Sequence, residues 1–157
     1  MQVKEIMHAR VIAVKRATSL AQLLDLFKDF HSFPVIPVVD DSKLLIGVVH
    51  LCNLFDVFKP YHQDILIRNP LSMLSREPTD IFDIDIEEGI GNLVIVADIM
   101  DKKIVKINED QSLKQAYDLM QLHGRGAIPV VDDQNKLGGI ISVFDIVMAI
   151  FKEKGII

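Results

Sequence analysis

The sequence is poor in cysteine and in positive charge, and each shortage argues against a class of function. Its single cysteine, Cys52, cannot form an internal disulfide, which fits a reducing, intracellular setting. The same cysteine lies in an apolar run, so we expect a buried and inert thiol. The net charge is −5 and no basic run is longer than two residues. Nucleic acid is therefore not expected as the main partner.

Long apolar runs and targeting signals are also missing. No apolar stretch approaches the ~18 residues that span a bilayer, and the chain opens without a signal peptide. Half of the residues are apolar and a quarter are charged, as in folded globular chains. We therefore expect a soluble, cytoplasmic protein without membrane insertion. The positive mean hydropathy of +0.30 suggests that a second copy of the chain covers some apolar surface.

The signatures of common catalytic sites are absent as well. The sequence has no Gly-x-Gly-x-x-Gly, no Walker Gly-Lys-Ser/Thr and no Gly-x-Ser-x-Gly motif. Its five histidines are scattered and do not have the spacing of zinc ligands. We therefore predict that the protein is not an enzyme, with no catalytic residue, no metal site and no required cofactor.

The sequence does contain one pattern written twice. "VIPVVDDSKLLIGVVHLCNLF" at 35–55 returns as "AIPVVDDQNKLGGIISVFDIV" at 127–147. Ile6-Met7 returns 93 residues later as Ile99-Met100, and Pro37 returns 92 residues later as Pro129. The one-residue difference marks a change of length in a loop. Self-similarity at a nearly fixed offset indicates a duplicated supersecondary unit.

Each copy of the unit is predicted to run strand, helix, strand, strand, helix. Val11–Val14 and Ile104–Ile107 are β-branched runs typical of strands. Ser19 and Ser112 each stand three residues before a glutamine, a spacing typical of a helix start, and Gly124 is placed to end the second copy's first helix. Two apolar runs joined by an aspartate-rich turn then predict a hairpin. The closing helices are expected at residues 53–58 and 143–152.

One such unit has a sheet with helices on one side only, so it cannot bury its apolar surface alone. We therefore predict an α/β (α+β) fold in which two β-α-β-β-α repeats pack sheet to sheet with pseudo-two-fold symmetry. The repeats are assigned to residues 1–58 and 93–157, with an insertion at 59–92. Within the insertion, 64–74 predicts a packed helix and 80–88 an edge strand or acidic face. Both a solvated connector and a partner-docking element remain open for it.

These motifs resemble the CBS domain, named after cystathionine β-synthase, and two copies in tandem look like a CBS pair, or Bateman module. The resemblance is carried by Ile-Met before the first strand, by Pro-Val-Val-Asp and by Gly-Ile-Ile-Ser-Val-Phe-Asp-Ile. It implies a regulatory sensor that binds AMP, ADP, ATP or S-adenosylmethionine in clefts between the repeats and dimerises into a disc. It also implies control of another protein, here a separate chain. The nucleotide, the partner and the parallel or antiparallel arrangement of the disc stay open.

The resemblance implies a first ligand cleft at the Gly-h-h-Ser-x-x-Asp motif of the second copy, where h is apolar. Asp145 would accept hydrogen bonds from both ribose hydroxyls. Ser142 would begin the last helix, where free amides attract a phosphate. Ser-x-x-Asp is also an ordinary capping box, and the two roles can coexist. By position, the rest of this cleft would be formed by Val11, Ile12, Phe33, Pro34 and Val35, with Arg10 and Lys15 as candidate phosphate partners.

In the first copy the motif is altered, so the second cleft is expected to be weaker. His50 replaces the serine and Asn53 replaces the aspartate, which removes the charge that strengthens a hydrogen bond to ribose. His50 would meet a phosphate when protonated, or serve as a structural histidine. The lining implied for this cleft consists of His50, Asn53, Ile104, Val105, Arg125, Gly126 and Ala127. A ligand-free dimerisation or docking module with degenerate clefts is the alternative function.

Overall fold

Each of the two sheets in the described part of the chain is built on an antiparallel hairpin. In the computed structural model, which describes residues 1–58 and 88–157, the first hairpin pairs β1 (Ile36–Val39) with β2 (Leu45–Val49). A short strand, β3 (Ile107–Asn108), runs parallel to β4 (Ala127–Val131), which pairs with β5 (Leu137–Ser142). Apart from Glu88, the two elements predicted for the insertion lie outside the described residues.

The hairpin turns are held by the first aspartate of each Asp-Asp pair. Oδ1 of Asp40 accepts hydrogen bonds from the backbone N–H groups of Ser42 and Leu44, both at 2.9 Å. In the second turn, Oδ1 of Asp132 accepts hydrogen bonds from the backbone N–H groups of Gln134 and Lys136, at 2.8 and 2.9 Å. Lys43 and its counterpart in the second turn adopt the left-handed conformation, with φ of 64° and 63°. The predicted aspartate-rich hairpin turns are therefore confirmed.

The helices begin where the sequence places their caps. Ser19 and Ser112 each accept a hydrogen bond from the N–H of the glutamine three residues on, whose side chain caps the serine N–H in return. Gly124 ends the second of these helices with φ of 60°, as predicted. A single 3₁₀ turn at Val3–Glu5 precedes them. Within residues 1–58 and 88–157 the α-helices are α1 (Leu20–Phe27), α2 (Leu51–Phe58), α3 (Ile90–Leu93), α4 (Val96–Ile99), α5 (Leu113–His123) and α6 (Val143–Glu153).

The first strand predicted for each repeat is largely missing. Of Val11–Val14, only Val14 bridges the sheet, in parallel with Val38. Of Ile104–Ile107, only Ile107 enters a strand, at the start of β3. The prediction fails for the earlier residues of each run because the segment just before them is paired with the other repeat, His8 with Ile140 and Asp101 with Val48. The chain has to cross from that repeat before it can join its own sheet.

Each repeat's leading segment packs into the core of the other repeat. Val96 and Ile99 of α4 are buried with Leu23 and Ile36 of the first repeat. Val3, from the start of the chain, is fully buried against the core of the second repeat, beside Met120. The burial of these side chains from water stabilises the crossed arrangement, in which neither half completes its core alone.

The crossed segments explain the two motif glycines. His8 exchanges backbone hydrogen bonds of 2.9 and 3.0 Å with Ile140, and the segment after α4 does the same with β2. A Cβ added at Gly139 would lie 2.6 Å from the carbonyl oxygen of His8, and one at Gly47 would lie 2.8 Å from the sulfur of Met100. Glycine is therefore required at Gly139 by the close approach of another backbone.

The pseudo-two-fold axis passes between the two hairpin turns. Leu44 and Lys136, which are equivalent positions of the two repeats, form an antiparallel bridge with each other. Around them, the N–H of Leu45 donates to the carbonyl of Asn135, and the N–H of Leu137 donates to the carbonyl of Lys43, each at 3.0 Å. Such reciprocity is the mark of a two-fold contact. The predicted fold of two repeats around a pseudo-two-fold axis is confirmed.

Cys52 departs from its prediction, because its side chain is exposed. On the same helix α2, Leu54 is buried and only 7 % exposed. Two residues along an α-helix correspond to about 200° of rotation, so Cys52 points to the opposite, solvent side. Within the described ranges, no helix has both the length and the apolar character needed to cross a lipid bilayer.

Candidate functional site

The Ser142–Asp145 pair lies where β5 ends and α6 begins. Ser142 has an extended backbone before the first helical turn, so its hydroxyl reaches a free amide and accepts from the Asp145 N–H at 3.2 Å. In return, Oδ2 of Asp145 accepts from the Ser142 N–H at 2.8 Å and from the Ser142 hydroxyl at 2.6 Å. The capping box that the spacing allowed is thus fully formed.

The other carboxylate oxygen of Asp145 is held by a residue from the start of the chain. Nε2 of His8 lies 2.8 Å from Oδ1 of Asp145. The imidazole is 71 % exposed, whereas the Asp145 side chain is only 11 % exposed. The sequence analysis does not find His8, because 137 residues separate it from Asp145 and no local pattern joins them. The histidine covers the carboxylate assigned to ribose.

Four of the residues assigned to the second cleft come together around one small pocket. They are His50, Val105, Arg125 and Ala127, and the remaining lining residues are Val35, Val48, Ile128 and Pro129. The pocket has a volume of about 10 Å³, which is about the room for one water molecule. This cleft is therefore closed in the structure, and a purine ring would fit only if the residues that line the pocket moved apart.

The polar side of this pocket is formed by His50 and Arg125. The pKa of the His50 imidazole is lowered, first because burial removes water from it and second because the Arg125 guanidinium lies near, while Asp101 acts in the opposite direction. Among the described residues, the buried Nε of Arg125 has no hydrogen-bond partner. The guanidinium is therefore poised to attract an anion, although the nearby Asp101 carboxylate opposes one.

The other residues assigned to the second cleft have local roles. Oδ1 of Asn53 accepts a hydrogen bond of 2.7 Å from the His50 N–H, so the start of α2 is capped as Asp145 caps α6. The carbonyl oxygen of Gly126 accepts from the N–H of Val143 at 2.9 Å, at the start of α6. Ile104 is half-buried.

The profile of the CBS domain matches this chain twice, at residues 3–59 and 96–152. The chain belongs to the CBS domain family. The two matches agree with the two hairpins, their closing helices and the crossed leading segments. The resemblance inferred from the repeated Pro-Val-Val-Asp and Gly-h-h-Ser-x-x-Asp motifs is therefore confirmed for a tandem CBS module.

Solved CBS structures share the fold of this CBS pair. It is similar to CBSX2 in complex with AMP at 24 % identity and a TM-score of 0.69, with 98 % of each chain covered. It is also similar to the CBS domain pair of protein MJ0100 in complex with 5′-methylthioadenosine and S-adenosyl-L-methionine, at 16 % identity and a TM-score of 0.65, again with 98 % of each chain covered. In sequence, protein MJ1426 of Methanocaldococcus jannaschii is 24 % identical over 161 residues, which cover 96 % of this chain and 91 % of that protein.

The assignment of further residues to the Asp145 cleft of this CBS pair stays a prediction. Phe33 is half-buried and packs against the first repeat's core, with its ring centroid 6.3 Å from that of Phe27. Lys15 is ion-paired with Asp41. Of the others, Arg10 and Ile12 are exposed, Val11 and Pro34 are half-buried, and half-buried Val35 lines the pocket of His50. In residues 1–58 and 88–157, no three His, Cys, Asp or Glu residues are grouped to hold a metal ion.

Proposed function

We propose that this CBS pair is a regulatory module that binds an adenosine-containing ligand, such as AMP, ADP, ATP or S-adenosylmethionine, at Asp145. The observation that carries the proposal is the Asp145 carboxylate itself. It lies in the first turn of α6, 11 % exposed, beside a residue of the segment that leads into the first repeat. The adenosine ligands named for the similar CBS structures support the same class of ligand.

The chemistry of the site suits a nucleoside. The carboxylate of Asp145 offers charged acceptors for the two ribose hydroxyls, and such charge-assisted hydrogen bonds are stronger than neutral ones. The Ser142 hydroxyl and the positive end of the α6 helix dipole favour a phosphate. The adenine would contact the apolar side chains of Val11, Ile12, Phe33, Pro34 and Val35, and Arg10 would approach the phosphate. The cleft of His50 and Arg125 would bind more weakly, if its pocket opened.

The crossed segments give a route from the ligand to the rest of the molecule. Val3 is buried in the second repeat, and the chain after His8 enters the first repeat at Val14. A ligand at Asp145 would thus change the contact that joins the two halves. We propose that this change alters the conformation or assembly of a cytoplasmic homodimer and controls a separate partner protein, with no catalysis by this chain.

Thermal unfolding with each of the four ligands tests the proposal. A ligand at 100 times its dissociation constant adds about 2.7 kcal/mol to the free energy of unfolding. We expect a clear rise in Tm with at least one of them, and its loss in Asp145→Ala. Asp118→Ala, which removes an exposed carboxylate paired with Lys114 on α5, should keep the rise. No rise with any of the four at millimolar concentration would contradict ligand sensing.

A ligand-free assembly module is the second candidate. It is favoured by the closed pocket of His50 and by the apolar residues that α6 exposes, Phe144, Val147, Ile150 and Phe151. Thermal unfolding with the four ligands separates the two candidates, and sedimentation analysis of the wild type and of Phe144→Asp, a residue 69 % exposed, tests whether this face holds a dimer together. An assembly module would dimerise through this face and show no thermal response to the four ligands.

A further inference from the structure

The acceptor capacity of Asp145 is nearly exhausted in this structure. A carboxylate offers about four lone-pair positions for hydrogen bonds. Oδ2 takes two hydrogen bonds from Ser142, at 2.8 and 2.6 Å, and Oδ1 faces His8 Nε2 at 2.8 Å. One position is therefore left on Oδ1. A ribose presents two hydroxyls, so its full recognition by Asp145 requires that one existing partner leave.

His8 is the partner that can leave at the smallest cost. The Ser142 contacts form the cap of α6, and their loss would expose the orphan amides of its first turn. The His8 imidazole is 71 % exposed, so it loses little packing of its own when it rotates into water and leaves the Asp145 carboxylate to the ligand. Its backbone would remain in place, because Val3 and the Ile140 pairing hold the segment.

The first repeat indicates that the histidine is not needed for the cap. At the start of α2, Asn53 accepts from the His50 N–H at 2.7 Å, so this cap forms within its own segment. The residue of the crossing segment at the place of His8 is Asp101, whose Oδ1 accepts from the Lys103 N–H at 2.8 Å. Of the two clefts, it is therefore the one with the intact motif in which a side chain of the leading segment contacts the capping residue.

We propose that His8 is an intrinsic competitor for the ligand at Asp145: its imidazole occupies the carboxylate until the two ribose hydroxyls of an adenosine-containing ligand displace it. This inference rests on the proposed function and adds to it a residue that sets the affinity. Because only a ligand with a ribose diol competes with His8 for the Asp145 carboxylate, the histidine lowers the affinity for such ligands and leaves the affinity for ligands without the diol unchanged. Displacement also frees the side chain at the point where the chain passes from the second repeat to the first.

Calorimetric titration of the full chain tests the competition, with AMP and with its 2′,3′-dideoxy analogue, which lacks both hydroxyls. For His8→Ala, we expect AMP to bind at least about fivefold more tightly than to the wild type, the factor that corresponds to roughly 1 kcal/mol. Affinity for the dideoxy analogue should not change. His8→Gln, which keeps an N–H donor, should restore an affinity close to that of the wild type. His123→Ala, which removes an exposed histidine of α5, is the matched control.

The outcomes separate the competition from the proposed function. Equal AMP affinity of wild type and His8→Ala would overturn the competition and leave nucleotide binding intact, as would an equal gain for AMP and the dideoxy analogue. Absence of AMP and S-adenosylmethionine binding to both proteins would overturn the competition and the proposed function together. In the wild type, AMP should also move the imidazole NMR signals of His8, and unmoved signals with bound AMP would contradict displacement.

Discussion

Asp101 occupies, in the cleft of the first repeat, the place that His8 occupies in the cleft of the second. Each exchanges two backbone hydrogen bonds with the strand before the closing helix, Asp101 with Val48 at 2.8 and 3.0 Å and His8 with Ile140 at 2.9 and 3.0 Å. The side-chain chemistry is reversed. A histidine meets the carboxylate of Asp145 in one cleft, whereas in the other a carboxylate acts on the His50 imidazole. The two clefts of one fold therefore have an imidazole and a carboxylate at equivalent positions of their leading segments.

The lowered pKa of His50 predicts a loss of stability in acid. In the folded protein, the pKa of the His50 imidazole lies below its ordinary value of about 6.5. His50 therefore binds a proton more readily in the unfolded chain than in the folded protein. As a result, the free energy of unfolding falls as the pH drops from about 6.5 toward the lower pKa that His50 has in the folded protein. We expect His50→Gln to flatten this part of the curve, measured by urea unfolding between pH 7 and 5. The same slope in both proteins would contradict the assignment.

The close approach of two backbones predicts unequal costs for two glycine substitutions. Gly139→Ala places a methyl group 2.6 Å from the His8 carbonyl oxygen, a backbone atom that cannot move alone. We expect it to lower the free energy of unfolding by about 1–3 kcal/mol. Gly47→Ala meets the flexible Met100 side chain first, so it should cost less. Urea unfolding of both variants gives the comparison, and a larger loss for Gly47→Ala would disagree with the packing.

The burial of Val3 predicts that the start of the chain stabilises the distant second repeat. Val3 is fully buried, so Val3→Ala should lower the free energy of unfolding by about 2 kcal/mol. Val147→Ala makes the same change on α6 at a residue that is 36 % exposed, and it should have an effect within about 0.5 kcal/mol. Equal effects of the two substitutions in chemical denaturation would argue against the crossed segment.

The exposed Cys52 predicts a thiol that reacts in the native state. Because the side chain lies on the solvent side of α2, an aromatic disulfide reagent should label one thiol per chain without denaturant. Cys52→Ser should abolish the labelling and leave the Tm nearly unchanged. If the thiol reacted only after addition of urea, Cys52 would be buried in the native state, which would contradict its exposed position.

Elements with a local chemical cause could be predicted from the sequence. Asp40 and Asp132 hold their turns through their own neighbours, and Ser112 and Gly124 delimit a helix by contacts within a few residues. The repeat then implied a two-fold arrangement, since one unit cannot cover its own sheet. For these features, the sequence contains all of the interacting groups within a short window.

The rest depends on contacts between residues far apart in the chain. Val11–Val14 has the composition of a strand, yet the pairing of His8 with Ile140 directs the preceding chain toward the other repeat. The same crossing brings His8 to Asp145, a contact for which neither residue carries a local signal. The buried position predicted for Cys52 is wrong because an apolar run does not reveal which face of its helix meets the core.

The reciprocal bridge at Leu44 and Lys136, together with the exchanged leading segments, has a consequence for how each half can fold. The two halves contact each other as identical subunits would in a symmetric pair that has swapped arms. A single half of this kind would have to pair with a second copy before its core was complete. With both halves in one polypeptide, their pairing does not depend on protein concentration, and the two arms can carry different residues, histidine in one and aspartate in the other.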